Sequence, residues 1–421
     1  MANRNRRSIL TTVAATGTLG LSGCLSRLDK WRGENNSPKQ KQNDGDSDQP
    51  DTDDGLGLPG ESIEEFESLD KWSALIDSGK LGAGTDDPYA GSQSAHLTAS
   101  EGTEAAGIYK SIPDGMDLAG KNLSLAVKFT GRRQLRLTLE LFAPNSQNAH
   151  VLQRTLIGPA DRWVRVDFGI GRIETQPDLS DVRQIRLSVR RRGDMTGRID
   201  CQVDDLRVVD RPKTGKVMLL FDGILESHYT DALEIMKSYD YAGVEAVIPE
   251  AIGEDGRLTI DRLGEMKDAG WDMAARPRTG SKFLHEFSPD MQKGMIERTK
   301  RHLEELGFEN GAKHFITPRN ILSPTARDLV EEYHEQAFRF GGGPNALPLT
   351  DPYNLGFFSG TAGEVTDRYV DYAAEYGQLA VLQFDYFGNE KGITTSEFES
   401  VLKYIDGKSV EVVTATELLE S

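Results

Sequence analysis

Cysteine is almost absent from this chain of 421 residues: there are two, Cys24 and Cys201, so no disulfide framework holds it together. Histidine is also scarce. The seven present are scattered, which limits the ligands available for metal chemistry. Basic residues are outnumbered, 49 Lys and Arg against 67 Asp and Glu, for a formal charge of −18. Such a surface repels phosphates and excludes nucleic acid as a partner. It suits a secreted protein or one living in high salt, where a strongly hydrated acidic surface is needed, and points to a halophile. Long apolar runs are missing too: the stretch after Arg7 is too short and too weakly apolar to stay in a bilayer as a helix.

What the N-terminus does have is an address. Asn5-Arg6-Arg7-Ser8 followed by a mildly apolar segment has the layout of a twin-arginine export signal. It ends in Leu21-Ser22-Gly23-Cys24, which resembles a lipobox with Cys24 as the lipidated residue. Residues 1–24 are therefore read as a removable signal. The expected location is the outer face of the cell membrane, lipid-anchored. Residues 25–60, rich in Asn, Gln, Ser, Pro, Gly and Asp, read as a disordered acidic linker.

Residues 61–211 change texture. Leu123, Leu125, Val127 and Phe129 alternate with polar residues, as do Leu135 to Leu141, Val164 to Phe168 and Ile185 to Val189. Period two with one apolar face means half-buried antiparallel strands. Turn signals separate them at Thr130-Gly131, Pro144-Asn145, Gly158-Pro159 and Gly193-Asp194. The segment is expected to be a β-sandwich of jelly-roll type. Exposed aromatics would stack on sugar rings, with Trp72, Tyr89 and Tyr109 as candidates and Trp163 as core. Arginines at 132, 133 and 136 and at 190, 191 and 192 form local basic spots, suited to acidic glycans or simply the exposed face of two strands.

From Lys216 short apolar runs alternate with amphipathic stretches. Strands are expected at 217–221, 244–248, 271–274, 314–317, 337–340, 355–358, 379–384 and 410–413. Helices are expected at 229–239, 258–269, 289–306, 324–334, 364–376 and 396–405. Repeated βα units of this number predict a parallel sheet closed into a distorted (β/α)7-type barrel over 215–421, with function at the C-terminal strand ends.

Two resemblances follow. The middle segment resembles jelly-roll carbohydrate-binding modules through Phe66-Glu67 near Trp72, the run Tyr89-Ala90-Gly91-Ser92-Gln93-Ser94, Trp163, and Val203-Asp204-Asp205-Leu206. That resemblance implies a structural calcium, for which Glu67 and Asp205 are the candidate oxygens. The C-terminal segment resembles the polysaccharide deacetylase (NodB-homology) family. The carriers are Val217 to Phe221-Asp222-Gly223, the helix Leu263-Gly264-Glu265-Met266 leading to Trp271, Phe315-Ile316-Thr317-Pro318-Arg319, Ala337 to Gly341, and Val412 to Leu419.

That family implies a carbohydrate deacetylase, a hydrolase of carbon–nitrogen bonds outside peptides, with a zinc-type divalent metal held by one Asp and two His. A second Asp acts as base and a distal His as acid. Here Asp222 stands at the base position and Gly223 at the metal Asp. Sliding the match by one makes Asp222 the ligand and removes the base. Arg276 and Gly280 occupy the two histidine positions, and Asp385 the distal acid. An arginine cannot ligate zinc. Arg276 is expected instead to pair with Asp222 and Asp385, and Pro318 and Arg319 to line a substrate cleft.

Three functions remain open: a lipoprotein that has lost its metal and binds extracellular polysaccharide, a hydrolase with a rearranged site using Asp222, Asp385, His228 or His285, and a structural envelope scaffold.

Overall fold

The computed structural model describes residues 56–131, 134–193, 196–388 and 392–421. The signal, Cys24, nearly all of the acidic linker, Arg132, Arg133 and Asp194 lie outside them. Among the described residues no helix is long and apolar enough to cross a membrane.

The first part is a β-sandwich of twelve strands. They are β1 (Glu61–Glu64), β2 (Trp72–Ala74), β3 (Lys80–Gly84), β4 (Ser94–Ala99), β5 (Ala105–Met116), β6 (Lys121–Phe129), β7 (Gln134–Phe142), β8 (Ala149–Ile157), β9 (Val164–Asp167), β10 (Gly169–Glu174), β11 (Val182–Arg191) and β12 (Ile199–Asp210). One sheet runs β3-β4-β12-β6-β9 with β1 beside β12, and the other β10-β8-β7-β11-β5-β2. Leu123, Leu125 and Val127 of one sheet and Leu135, Leu137 and Leu139 of the other share one buried core, as the period-two pattern requires.

The second part is a closed barrel. Its strands are β13 (Gly215–Asp222), β14 (Val244–Val247), β15 (Asp272–Ala275), β16 (His314–Ile316), β17 (Gln336–Phe340), β18 (Asn345–Ala346), β19 (Leu355–Ser359), β20 (Gln378–Phe384) and β21 (Val410–Val412). Seven of them, β13-β14-β15-β16-β17-β19-β20, run parallel, and β20 pairs back onto β13 to close the ring. Strand β21 joins β13 from outside the ring, and β18 pairs antiparallel with β20.

The helices are α1 (Glu234–Lys237), α2 (Ile260–Asp268), α3 (Pro289–Glu305), α4 (Pro324–Tyr333), α5 (Glu364–Tyr376), α6 (Thr395–Asp406) and α7 (Ala415–Leu419). Their starts follow from local chemistry. Ser288 and Ser323 cap helices that open on proline, while Thr394 and Thr414 form capping boxes with Glu397 and Glu417. The helix expected over 229–239 is instead a π-turn at His228–Leu233 followed by the single turn α1.

One βα unit lacks its helix. Between β17 and β19 the chain forms β18 and a buried loop, and this segment packs on the sandwich. Arg154 of β8 donates to Asn345 Oδ1 at 2.7 Å and to the Asn354 carbonyl. Asp167 of β9 accepts from Thr350 Oγ1 at 2.6 Å and from the Thr350 and Asp351 amides. Arg339 of β17 donates to Asn354 Oδ1 at 2.9 Å and to the carbonyls of Ile157 and Gly158. All three side chains are buried. Burial pushes the Asp167 carboxyl up to about 6 while its hydrogen bonds from Thr350 pull the other way. The backbone makes room: a Cβ at Gly356 would lie 2.0 Å from Arg154 Nη1. Sandwich and barrel thus belong to one compact unit, Thr52–Ser421.

Candidate functional site

Strand parity decides which side chains reach the barrel mouth. Met218, Leu220, Val244, Ala246, Ala274, Ile316, Phe338, Leu379 and Val381 fill the barrel interior. Two residues further along the same faces stand Asp222, Ile248, Arg276, Pro318, Phe340 and Gln383, at the C-terminal ends where such barrels carry their function.

Arg276 Nε lies 2.6 Å from Asp222 Oδ1, with both side chains only about a fifth exposed. The contact is an ion pair without an aligned hydrogen bond. Burial raises the Asp222 carboxyl to about 6. Arg276 pulls it down, and Asp385 and Glu245 push it up. Asp385 is exposed and accepts from Gln383 Nε2; desolvation raises its carboxyl too, against the pull of that hydrogen bond. Pro318 is buried. Arg319 is exposed, held at φ 55 with its guanidinium 4.7 Å over the Phe283 ring.

Below the mouth lies a pair that sequence reasoning assigned otherwise or missed. His228, a candidate for a new catalytic role, is fully buried. Its Nδ1 meets Glu245 Oε2 at 2.8 Å and its Nε2 meets the Asp385 carbonyl at 2.6 Å. A carbonyl only accepts, so Nε2 carries hydrogen, and one further proton is shared between Nδ1 and the carboxyl. Burial works against charge on His228, but Glu245 and the Asp385 carbonyl outweigh it and raise its pKa. Glu245 also accepts from the Ile224 amide at 2.8 Å. The pair therefore ties the loop after β13, which follows Asp222, to the loop after β20, which carries Asp385. The available signal was a single Glu inside the apolar run Val244 to Ile248. His285 stacks on Phe283 at 5.6 Å.

The zinc implied by the family resemblance does not fit these residues. Gly223 and Gly280 replace two ligands and sit at φ 114 and 60, conformations that favour glycine. The guanidinium of Arg276 faces the one remaining carboxylate. Among the described residues no group of three or more His, Cys, Asp or Glu could hold a metal ion. Gly223→Asp is accordingly expected to destabilise the fold by about 1–2 kcal/mol through its backbone angle, without creating a site. Thermal melts and metal titration of that variant check this.

Several expectations for the sandwich are corrected. Trp72 is buried against Phe66, with ring centroids 5.3 Å apart, and offers no platform for a sugar. Trp163 is half-buried rather than core. It shares parity with Arg165 and Asp167 on the outer face, donates to the Asp87 carbonyl at 2.9 Å and lies under Lys128. Tyr89 packs edge-on against Trp163, and Tyr109 is half-buried. The basic spot at 190–192 is split. Arg190 pairs with Glu104, Arg191 is buried on the carbonyls of Ser100, Thr103 and Gly197, and Arg192 alone turns toward the barrel.

The oxygens expected at calcium are already engaged. Asp205 is buried between Arg165 at 2.6 Å and Arg207 at 3.1 Å, so guanidinium charges stand where a cation would. Glu67 accepts from Ser92 N, Ser92 Oγ and Gln93 N.

No family model matches the chain, and no curated protein matches it. Parts of it are similar to solved structures. One is the Xyl-CE4 domain of a multidomain xylanase from the hindgut metagenome of Trinervitermes trinervoides, 16% identical, covering 49% of this chain and 90% of that one, with a TM-score of 0.35. Another is a family 4 acetyl xylan esterase from Clostridium thermocellum in complex with a cobalt ion, 19% identical over 49% and 90%, with a TM-score of 0.36. A third is the family 11 carbohydrate-binding module of a Clostridium thermocellum cellulosomal cellulase, 16% identical over 36% and 95%, with a TM-score of 0.28.

The electrostatics of the mouth give a direct test. The folded value for Asp222, about 6, lies above the ordinary 3.8. Its protonation therefore favours folding below about pH 4, and this contribution is lost as pH rises through about 6. Arg276→Met, which removes the lowering charge, is expected to move the midpoint higher still. A carboxyl carbon-13 titration of Asp222 in both proteins measures this.

Proposed function

We propose that this chain is an exported cell-surface lipoprotein of the deacetylase type that has lost its metal and binds extracellular polysaccharide at the barrel mouth. The observation that carries the reading is the Arg276–Asp222 pair, which puts a fixed cation against the carboxylate where the family's chemistry needs an open metal. A charged pair about a fifth exposed, flanked by Asp385 and the exposed ring of Tyr386, offers donors, acceptors and a stacking face to a sugar. The order of motifs along both segments supports the polysaccharide, and Arg6-Arg7 with Cys24 support the twin-arginine route and the lipid anchor.

The test combines three measurements on the purified chain. Glycan-array binding is expected, weakened at least about tenfold in Arg276→Ala, the scale of one charge-assisted hydrogen bond. Zinc is expected well below one per chain, with no acetate released from acetylated oligosaccharides. Binding to no glycan would leave the scaffold reading.

One observation favours a second reading, a hydrolase with a rearranged site. Burial raises the Asp222 carboxyl to about 6, in the range of a working acid or base, and Arg276 Nε lies 2.6 Å from it. Acetate release abolished by Asp222→Asn would establish it.

A further inference from the structure

The mouth is polarised. Its carboxylates stand at the ends of the adjacent strands: Asp222 is the last residue of β13, and Asp385 follows β20. The opposite arc, at the ends of β16 and β17, is cationic. Arg319 sits in a turn of two consecutive left-handed residues, φ 55 and then 66 at Asn320, whose Oδ1 accepts from the Phe340 amide at 3.2 Å. Arg192 arrives from the sandwich, just past β11, and lies 4.9 Å over the ring of Phe340 at the end of β17. It donates to Gln134 at 3.1 Å, and Arg136 is close enough to depress its pKa further after burial has lowered it.

Among the described residues no carboxylate stands within 4.0 Å of Arg136, Arg192 or Arg319. Elsewhere on the sandwich surface Arg183, Arg186, Arg190 and Arg198 each have one. In a chain of net charge −18, arginines held beside an aromatic ring or another arginine, with no described acid paired to them, are poised for an anion from outside.

We propose that the barrel mouth and the Arg192 end of the sandwich form one recognition surface for an acidic polysaccharide, with Arg192 and Arg319 pairing to carboxylates carried on its sugar rings. This rests on the glycan-binding reading and names the class of glycan. The stacked guanidinium planes match a carboxylate in two-point geometry. Asp222 and Asp385 accept ring hydroxyls on the other side, and Tyr386 meets a ring face. The widely spaced charges of such a glycan suit a few arginines in an otherwise acidic surface. A dense polyanion would be repelled by the surroundings.

The experiment compares polygalacturonate and alginate with their methyl-esterified forms, which keep the sugars and remove the charge. Calorimetric affinities are measured for the wild-type chain and for the double variant Arg192→Gln, Arg319→Gln. The charged glycan is expected to bind at least about tenfold tighter than its ester, a difference lost in the double variant. Both positions are accessible, and a far-ultraviolet dichroism melt confirms that the variant folds. Equal affinity for acid and ester, or affinities that ignore the double substitution, would overturn the inference and leave the glycan-binding reading standing. Equal binding of inorganic polyphosphate would overturn it as a non-specific cationic patch. Binding to no glycan, charged or neutral, would remove both.

Discussion

Arg339→Met is expected to lower the melting of sandwich and barrel together, as one transition, at a cost of about 3 kcal/mol or more. The side chain is buried and crosses between the parts: one edge binds Asn354 within the barrel, and Nη1 serves the carbonyls of Ile157 and Gly158 on the sandwich. Methionine fills much of the volume but leaves three acceptors in a dry interior without donors, and each orphan costs on the order of 1–3 kcal/mol. The neighbouring donor cannot compensate, because Arg154 already serves Asn345 and Asn354. Differential scanning calorimetry reads the result. Two resolved endotherms with only one displaced would show that the parts melt independently and that this buried network does not couple them.

His228→Leu carries the second large effect, expected at about 3–5 kcal/mol, because it strands the carboxyl of Glu245 in the core. Three things fail at once. Glu245 loses its proton-sharing partner, the Asp385 carbonyl loses a donor, and the loop bearing Asp385 is released from the loop after Asp222. The double variant His228→Leu, Glu245→Met is expected to recover part of the stability, since no charge is then buried. The glycan binding proposed above is expected to recover less, since the two loops stay uncoupled. Urea denaturation of the single and double variants gives the coupling energy. Additive effects would show that His228 and Glu245 do not act as a unit.

The barrel was legible because most of its strands are short apolar runs followed by a helical pattern or a cap, and the expected strands begin and end within a residue or two of the observed ones; only the two-residue β18 gave no pattern to read. The sandwich was less so. Strand β8 reads Ala149 to Ile157 without alternation because both of its faces are covered, and Arg154, on the inward parity with Leu152 and Leu156, is held by the barrel. No local signal reveals a partner two hundred residues away. Asp222 and Arg276 could be placed at the mouth from strand ends alone. Glu245 could not be joined to His228, nor Arg192 to Phe340, because those pairings are made by the closed ring and by the docking of one part on the other. The two tryptophans exchanged roles for a reason of register. Trp163 falls on the polar parity of β9, and Trp72, on a three-residue strand, has too short a pattern to reveal its face.

The pairing that closes the barrel also imposes an order on synthesis. Strand β13 is among the first parts of the barrel to leave the ribosome, yet its neighbour β20 is made only after all the other strands of the ring. The sandwich is complete by then and can fold as the nascent chain lengthens. The barrel stays an open, curling sheet with the apolar flanks of β13 exposed until Gln378–Phe384 emerges. Translational pausing before that segment would prolong the interval in which this edge is open to aggregation, and a ribosome stalled after it would already hold a ring able to close.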